Sequence, residues 1–216
     1  MSKSLCTKMD PRWQHPFTAI VAGPTKCGKT YFVERFISNI DQMMTPRPME
    51  IIWCYAEWQP AYDRLKHLGV IFHEGIPDIH KWDVQTQRLC ILDDLMDETN
   101  DTVTKLFTKG SHHRNISVIQ IIQNLFGRNR HQRTISLNAH YIVLFKSPRD
   151  MTQILHFGKQ IFPSQPKYVS ESFKSATESP HGYLLFDLTQ ETPDHLRLRN
   201  NIFPGEQQTV YVPRKN

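Results

Sequence analysis

The longest apolar runs of this 216-residue chain are strand-length, so no transmembrane helix is available. The opening residues 1–8 have no apolar signal core, so secretion is not expected and an intracellular protein is. No internal repeat and no low-complexity segment is present. Four cysteines, Cys6, Cys27, Cys54 and Cys90, stand alone and form no C-x-x-C pair. They read as buried or loop thiols in a reducing compartment, not as disulfides or zinc ligands. Eleven histidines include the pair His112-His113, which has no partner at metal-site spacing and reads as a solvated helix end. The net charge of +5 is a mild basic excess, compatible with a nucleic-acid partner without requiring one.

What is present suits one α/β domain with a real hydrophobic core. Residues 1–15 are polar and read as an extended N-terminal extension, with a single domain over 16–216. Strand and helix candidates then alternate, which predicts a mainly parallel sheet covered on both faces. The strand candidates are Phe17–Ala22, Ile51–Tyr55, Val70–Phe72, Leu89–Leu92, Ile116–Ile122 and Tyr141–Phe145. Leu89–Leu92 is apolar throughout, as a strand buried on both faces requires. A short amphipathic segment falls at Ala61–Leu68. A helix is expected from about Thr99, with Val103, Leu106 and Phe107 inward and Gly110 as its stop. Another is expected from about Asp150, carrying Met151, Ile154, Leu155, Ile161 and Phe162 on one stripe. Closely spaced strand candidates at Tyr183–Phe186, Leu196–Leu198 and Thr209–Val212 predict antiparallel pairing at one edge.

The strongest chemical signal is Gly23-Pro-Thr-Lys-Cys-Gly-Lys-Thr30, which fits the phosphate-binding pattern G-x-x-x-x-G-K-[ST]. It lies between the first strand candidate and a helix bearing Phe32, Val33, Phe36, Ile37 and Ile40 on one face. Strand, loop and helix make a nest of backbone N–H groups at a helix N-terminus, suited to a polyphosphate. Gly23, Pro24, Thr25, Lys26, Cys27 and Gly28 form the loop. Lys29 would reach the β- and γ-phosphates, and the Thr30 hydroxyl would hold Mg²⁺. A bare surface turn would leave both flanks unexplained. The expected ligands are ATP and Mg²⁺.

Such a loop needs an acidic partner, and Leu89-Cys-Ile-Leu-Asp-Asp94 supplies two carboxylates at the end of a buried strand. Ligands of open α/β sheets sit outside the carboxyl ends of the strands. Asp93 is therefore assigned to Mg²⁺ and Asp94 to polarising the attacking water. The competing reading is that both acids cap the following helix. Gln123, at the end of Ile116–Ile122, would sense the γ-phosphate or orient water, unless it makes only ordinary strand-end hydrogen bonds. Downstream, the basic loop Arg128-Asn-Arg-His-Gln-Arg133 offers Arg133 or Arg128 as an arginine that stabilises transition-state charge, often across a subunit boundary. A solvated loop and a DNA phosphate contact stand beside that reading.

Together these residues resemble the DNA-packaging ATPases of the FtsK/HerA superfamily, above all those of eukaryotic DNA viruses and Polinton (Maverick) elements. The likeness rests on His15–Thr25 running into the loop, on Ile91–Met96, on Val118–Phe126 and on Arg133–Arg149, and covers roughly residues 12–165. It implies a RecA-like core in which the Gln123 strand lies between the loop strand and the strand ending in Asp93. It also implies a homo-oligomeric ring, commonly a hexamer, with ATP at subunit interfaces and double-stranded DNA through the centre. Capsid or portal proteins would be partners, at an assembly site in the host nucleus or cytoplasm. Lys29, Thr30 and Asp93 match the family's loop and Mg²⁺ roles, Gln123 its sensor, and Arg133 its arginine-finger block. Many relatives carry Asp-Glu where this chain has Asp93-Asp94, so either Asp94 or Glu98 would be the base. The alternatives are a nucleoside or nucleotide kinase, a nucleotide-binding assembly protein without translocation, and a helicase or phage-assembly ATPase of the same superfamily.

Overall fold

The computed structural model describes residues 10–95, 101–126 and 130–213. The strands are β1 Trp13–Gln14, β2 Thr18–Ala22, β3 Met44–Thr45, β4 Glu50–Tyr55, β5 Val70–Glu74, β6 Arg88–Asp93, β7 Ile116–Ile122, β8 Tyr141–Phe145, β9 Tyr183–Asp187, β10 Leu198–Asn200 and β11 Thr209–Tyr211. The α-helices are α1 Lys29–Ser38, α2 Ile40–Met43, α3 Asp101–Lys105, α4 Ser111–Arg114, α5 Arg130–Leu137, α6 Met151–Ile161 and α7 Pro166–Ala176. Among the described residues a nine-stranded sheet runs in the order β11-β10-β9-β8-β2-β7-β6-β4-β5. From β8 to β5 every pairing is parallel. The β8–β9, β9–β10 and β10–β11 pairings are antiparallel, so the expected antiparallel edge is present.

β2 shows why the sheet needs two covers. Successive side chains of a strand point to opposite faces. Ala19 and Val21 join one core with Phe32, Val33, Phe36 and Ile37 of α1. Ile20 and Ala22 join the other, with Val103, Leu106, Phe107, Ile135, Ile154 and Phe173. Each large apolar side chain taken wholly from water contributes about 1.5–3 kcal/mol, so this stripe and not helix propensity fixes α1. The helix stops earlier than its apolar pattern: the chain breaks at Asn39, and Ile40 starts α2.

Four expectations need correction. Gly110 does not stop the helix after β6. It has right-handed φ/ψ, the chain passes through a π-helical turn over Leu106–Gly110, and α4 ends only at Asn115 with φ +58°. The segment Arg130–Arg133 is helix, not loop, because Gln132 and Ile135 turn inward and hold α5 on the sheet. Leu196 belongs to a 3₁₀ turn, Asp194–Leu196, and the strand begins at Leu198. Arg197 fixes that turn by donating to Asp194 Oδ1 and to the Asp187 and Thr189 carbonyls. The pattern reading missed α7 altogether: among its described side chains Val169, Ser172, Phe173 and Ala176 are buried, although Pro166 stands at its first turn. Thr99, Glu98, Arg128 and Cys6 lie outside the described residues, as do the side chains of His112 and His113.

Trp13 and Phe17, ahead of β2, are built into the core. Trp13 is 1% exposed, and its ring stacks on Tyr141 at 4.3 Å and packs on Phe36 of α1 at 4.8 Å. His15 donates from Nε2 to Asn115 Oδ1 at 2.8 Å and accepts from Ser117 at Nδ1, with burial holding it below the ordinary histidine range. Trp13→Ala should therefore lower unfolding stability by about 3–5 kcal/mol, read from urea denaturation. An unchanged midpoint would show that the segment does not buttress α1.

Candidate functional site

The phosphate-loop pattern lies where β2 ends and α1 begins, at the carboxyl edge of the parallel strands. Gly23 N–H donates to the Ile122 carbonyl, joining the loop to the end of β7. A Cβ on Gly23 would stand 2.7 Å from Phe145 Cβ and 2.8 Å from Cys27 Sγ, so only glycine fits there. Gly28 adopts φ +109°, a left-handed conformation that L side chains avoid, just ahead of the first turn of α1. Lys26 is also left-handed, at φ +64°. Pro24 and Thr25 are exposed, Cys27 and Thr30 half-buried. Lys29 Nζ donates to the Gly23 and Pro24 carbonyls at 2.8 and 3.0 Å, so the ammonium arches over its own loop.

Across the cavity stands the end of β6. Asp93 is 3% exposed, and Tyr62 Oη donates to its Oδ2 at 2.8 Å. Burial pushes the Asp93 carboxyl up to about 6, and the neighbouring charge of Asp94 adds to the rise. The Tyr62 hydrogen bond and the Lys29 ammonium oppose it. Tyr62 itself is pushed far above the ordinary phenol range by burial and by Asp93, so it stays a donor. At Asp94 the chain turns sharply, with φ +55°, which directs one acid inward and leaves the next exposed.

One cavity of about 350 Å³ gathers Thr25, Lys26, Gly28, Lys29, Thr30, Asp93, Asp94 and Gln123, together with Tyr31, Gln59, Ile121 and Ile122. The register explains the meeting: β7 pairs with β2 on one side and β6 on the other, so all three strands end together. Arg133 is not part of this cavity. It is exposed on α5 and lines a separate groove with Arg130, Phe126, Gln153, His156, Phe157 and Gln160.

Three residues at the site escape pattern reading. Tyr62 sits in an amphipathic segment and looks like a core residue. Gln59 precedes it in a loop with no motif. His181, in the turn between α7 and β9, has its Nδ1 3.0 Å from the Cys27 carbonyl, although the two lie far apart in sequence.

No family model matches the chain. The denitrification regulatory protein NirQ of Stutzerimonas stutzeri is 24% identical over 145 residues, 65% of this chain and 50% of NirQ. The chain thus spans about half the length of that curated relative. Among solved structures, the genome packaging NTPase B204 of Sulfolobus turreted icosahedral virus 2, in complex with ATP-γS, superposes with a TM-score of 0.54 at 12% identity. That superposition covers 92% of this chain and 98% of B204. The cytoplasmic domain of the type VII secretion ATPase EccC of Thermomonospora curvata gives 0.51 at 9% identity, over 90% of this chain and 25% of EccC. At these identities the likeness concerns the fold: this is an α/β, RecA-like P-loop ATPase fold with an antiparallel C-terminal edge.

Asp93 provides a test of the cavity's electrostatics. Its folded pKa lies above the unfolded one, so its contribution to stability is full below about pH 4 and is lost as pH rises through about 6. Tyr62→Phe removes a bond that favours the carboxylate and should move the Asp93 titration upward from about 6, measured on the ¹³C carboxyl resonance. A midpoint that stays or falls in that variant would refute the hydrogen bond's role.

Proposed function

We propose that this protein is an ATP-hydrolysing DNA translocase of the FtsK/HerA type, which packages a viral or Polinton-like genome into a capsid. The observation that carries the reading is the convergence of Lys29, Thr30, Asp93, Asp94 and Gln123 on one cavity at the carboxyl edge, with the Gln123 strand between the other two. The likeness of fold to a viral genome packaging NTPase supports it.

In this reading the N–H groups of the loop and the first turn of α1 bind the phosphates, and Lys29 leaves its two carbonyls for the β- and γ-phosphate oxygens. The donor set suits Mg²⁺. Among the described residues no three His, Cys, Asp or Glu side chains form a metal cage, whereas one buried carboxylate and one hydroxyl flank the phosphate loop. Mg²⁺ would be bound in that way, completed by water and substrate, and would supply positive charge against the phosphates. Asp93 and Thr30 would hold it. Asp94, exposed and beside the phosphates, polarises the attacking water, while Gln123 orients that water and registers the γ-phosphate.

Arg133, which lies outside the phosphate-loop cavity, is read as the arginine finger acting on the nucleotide of a neighbouring copy, with Arg128 second. That assignment calls for a homo-oligomeric ring, commonly a hexamer, with double-stranded DNA in its centre and a capsid or portal protein at one face. Its place of work would be an assembly site in the host nucleus or cytoplasm.

Two measurements test this. ATP turnover should rise several-fold with double-stranded DNA and vanish in Lys29→Ala; turnover that persists in that variant sinks the loop assignment, and turnover indifferent to DNA sinks translocation. Arg133→Ala should lower turnover about 10³-fold or more. Mixing it with Lys29→Ala should restore activity at interfaces that pair an intact Lys29 with an intact Arg133. No recovery at any mixing ratio removes the role in trans.

A further inference from the structure

Gln59 lines the phosphate-loop cavity from the far side of Asp93. It follows β4, and the sheet runs β2, β7, β6, β4 outward from the loop. We propose that its carboxamide donates to the γ-phosphate and makes this site select a nucleoside triphosphate over a diphosphate. This rests on the phosphate-loop reading of the same cavity.

Packing sets the position. Residues Pro60–Leu68 form a 3₁₀ stretch whose Tyr62 and Leu65 join the same core as Phe32 and Val33 of α1. Arg64 ties the two elements by donating to both carboxylate oxygens of Glu34, at 3.1 and 2.9 Å. Each begins at the carboxyl edge of the sheet, so Gln59 shares the cavity with Lys29 and Thr30 of the first turn of α1. Two bonds then hold it against the acid. Tyr62 N–H donates to the Gln59 carbonyl at 3.0 Å, and Tyr62 Oη donates to Asp93 Oδ2 at 2.8 Å. Pro60 stiffens the turn between them.

The side chain is left for a ligand. Gln59 is half-buried and does not cap the stretch that follows it, and among the described residues its carboxamide makes no hydrogen bond. A carboxamide offers two N–H donors and brings no charge. Asp93 and Asp94 put negative charge on this side of the cavity, so a neutral donor favours a third phosphate where another carboxylate would repel it. With Thr30 and Asp93 at the β- and γ-oxygens, Gln59, one strand farther out, meets the terminal phosphate. A diphosphate ends short of it.

The test is calorimetric titration of ATP-γS and ADP, each with Mg²⁺, into the full chain and into Gln59→Ala, Gln59→Glu and Lys29→Ala. Gln59→Ala should weaken ATP-γS about 10-fold or more, as loss of one hydrogen bond to a charged group does, and ADP by less than about 2-fold. Gln59→Glu keeps the size of the side chain and should weaken ATP-γS at least as much, through repulsion of like charges. A residue that only shapes the loop would move both nucleotides together in the alanine variant and neither in the glutamate one. The proposal is overturned if either variant keeps the wild-type ratio of ATP-γS to ADP affinity while Lys29→Ala loses both nucleotides. If Lys29→Ala binds both as wild type does, the phosphate-loop reading itself falls, and the role of Gln59 with it.

Discussion

The central strands have no face left for water, and the candidate site follows from that constraint. β2, β6 and β7 are covered on both sides, so a charged group can survive only where the strands stop. Because the pairing is parallel and in step, they stop together. The glycine loop, the acidic pair and Gln123 are thereby delivered to one rim from three distant stretches of sequence. A parallel sheet concentrates polarity at its carboxyl edge as a matter of geometry, before any chemistry is specified.

Asp93 shows the tension in that arrangement. It is the last residue of its strand and still inside the core, so burial drives its carboxyl toward neutrality. Tyr62 and Lys29 pull the other way. Tyr62 is itself anchored in an aromatic group with Trp53, Tyr55, Trp58 and Phe72. The geometry of the acid is thus set by ring packing across the β4–β5 edge. One residue on, Asp94 escapes the conflict by a left-handed turn into solvent. Two adjacent carboxylates of the same chemical type consequently meet different surroundings.

The parallel core was legible because its strands are rich in short apolar runs and the phosphate loop has fixed spacing. Lys29, Thr30, Asp93, Asp94 and Gln123 could be placed at one rim from those two facts and the strand order. Helix boundaries were less legible. Gly110 carried a stop signal, but the contacts of Val103, Leu106 and Phe107 with the sheet hold a helix past it through a π turn. Arg133 looked like loop because its neighbours are basic, whereas one buried isoleucine and one buried glutamine suffice to fold that stretch on the sheet. Tyr62, Gln59 and His181 were invisible for a different reason. Their position depends on contacts between elements that no local spacing encodes.

Lys29 holds the carbonyls of its own loop, and this makes the loop partly its own ligand. An incoming group must outcompete two neutral acceptors already in place. Those two bonds are already charge-assisted, so an acceptor improves on them only by carrying charge itself, which a neutral sugar or a lone carbonyl does not. Selectivity for anions therefore arises as a threshold set by the backbone, without any side chain devoted to exclusion.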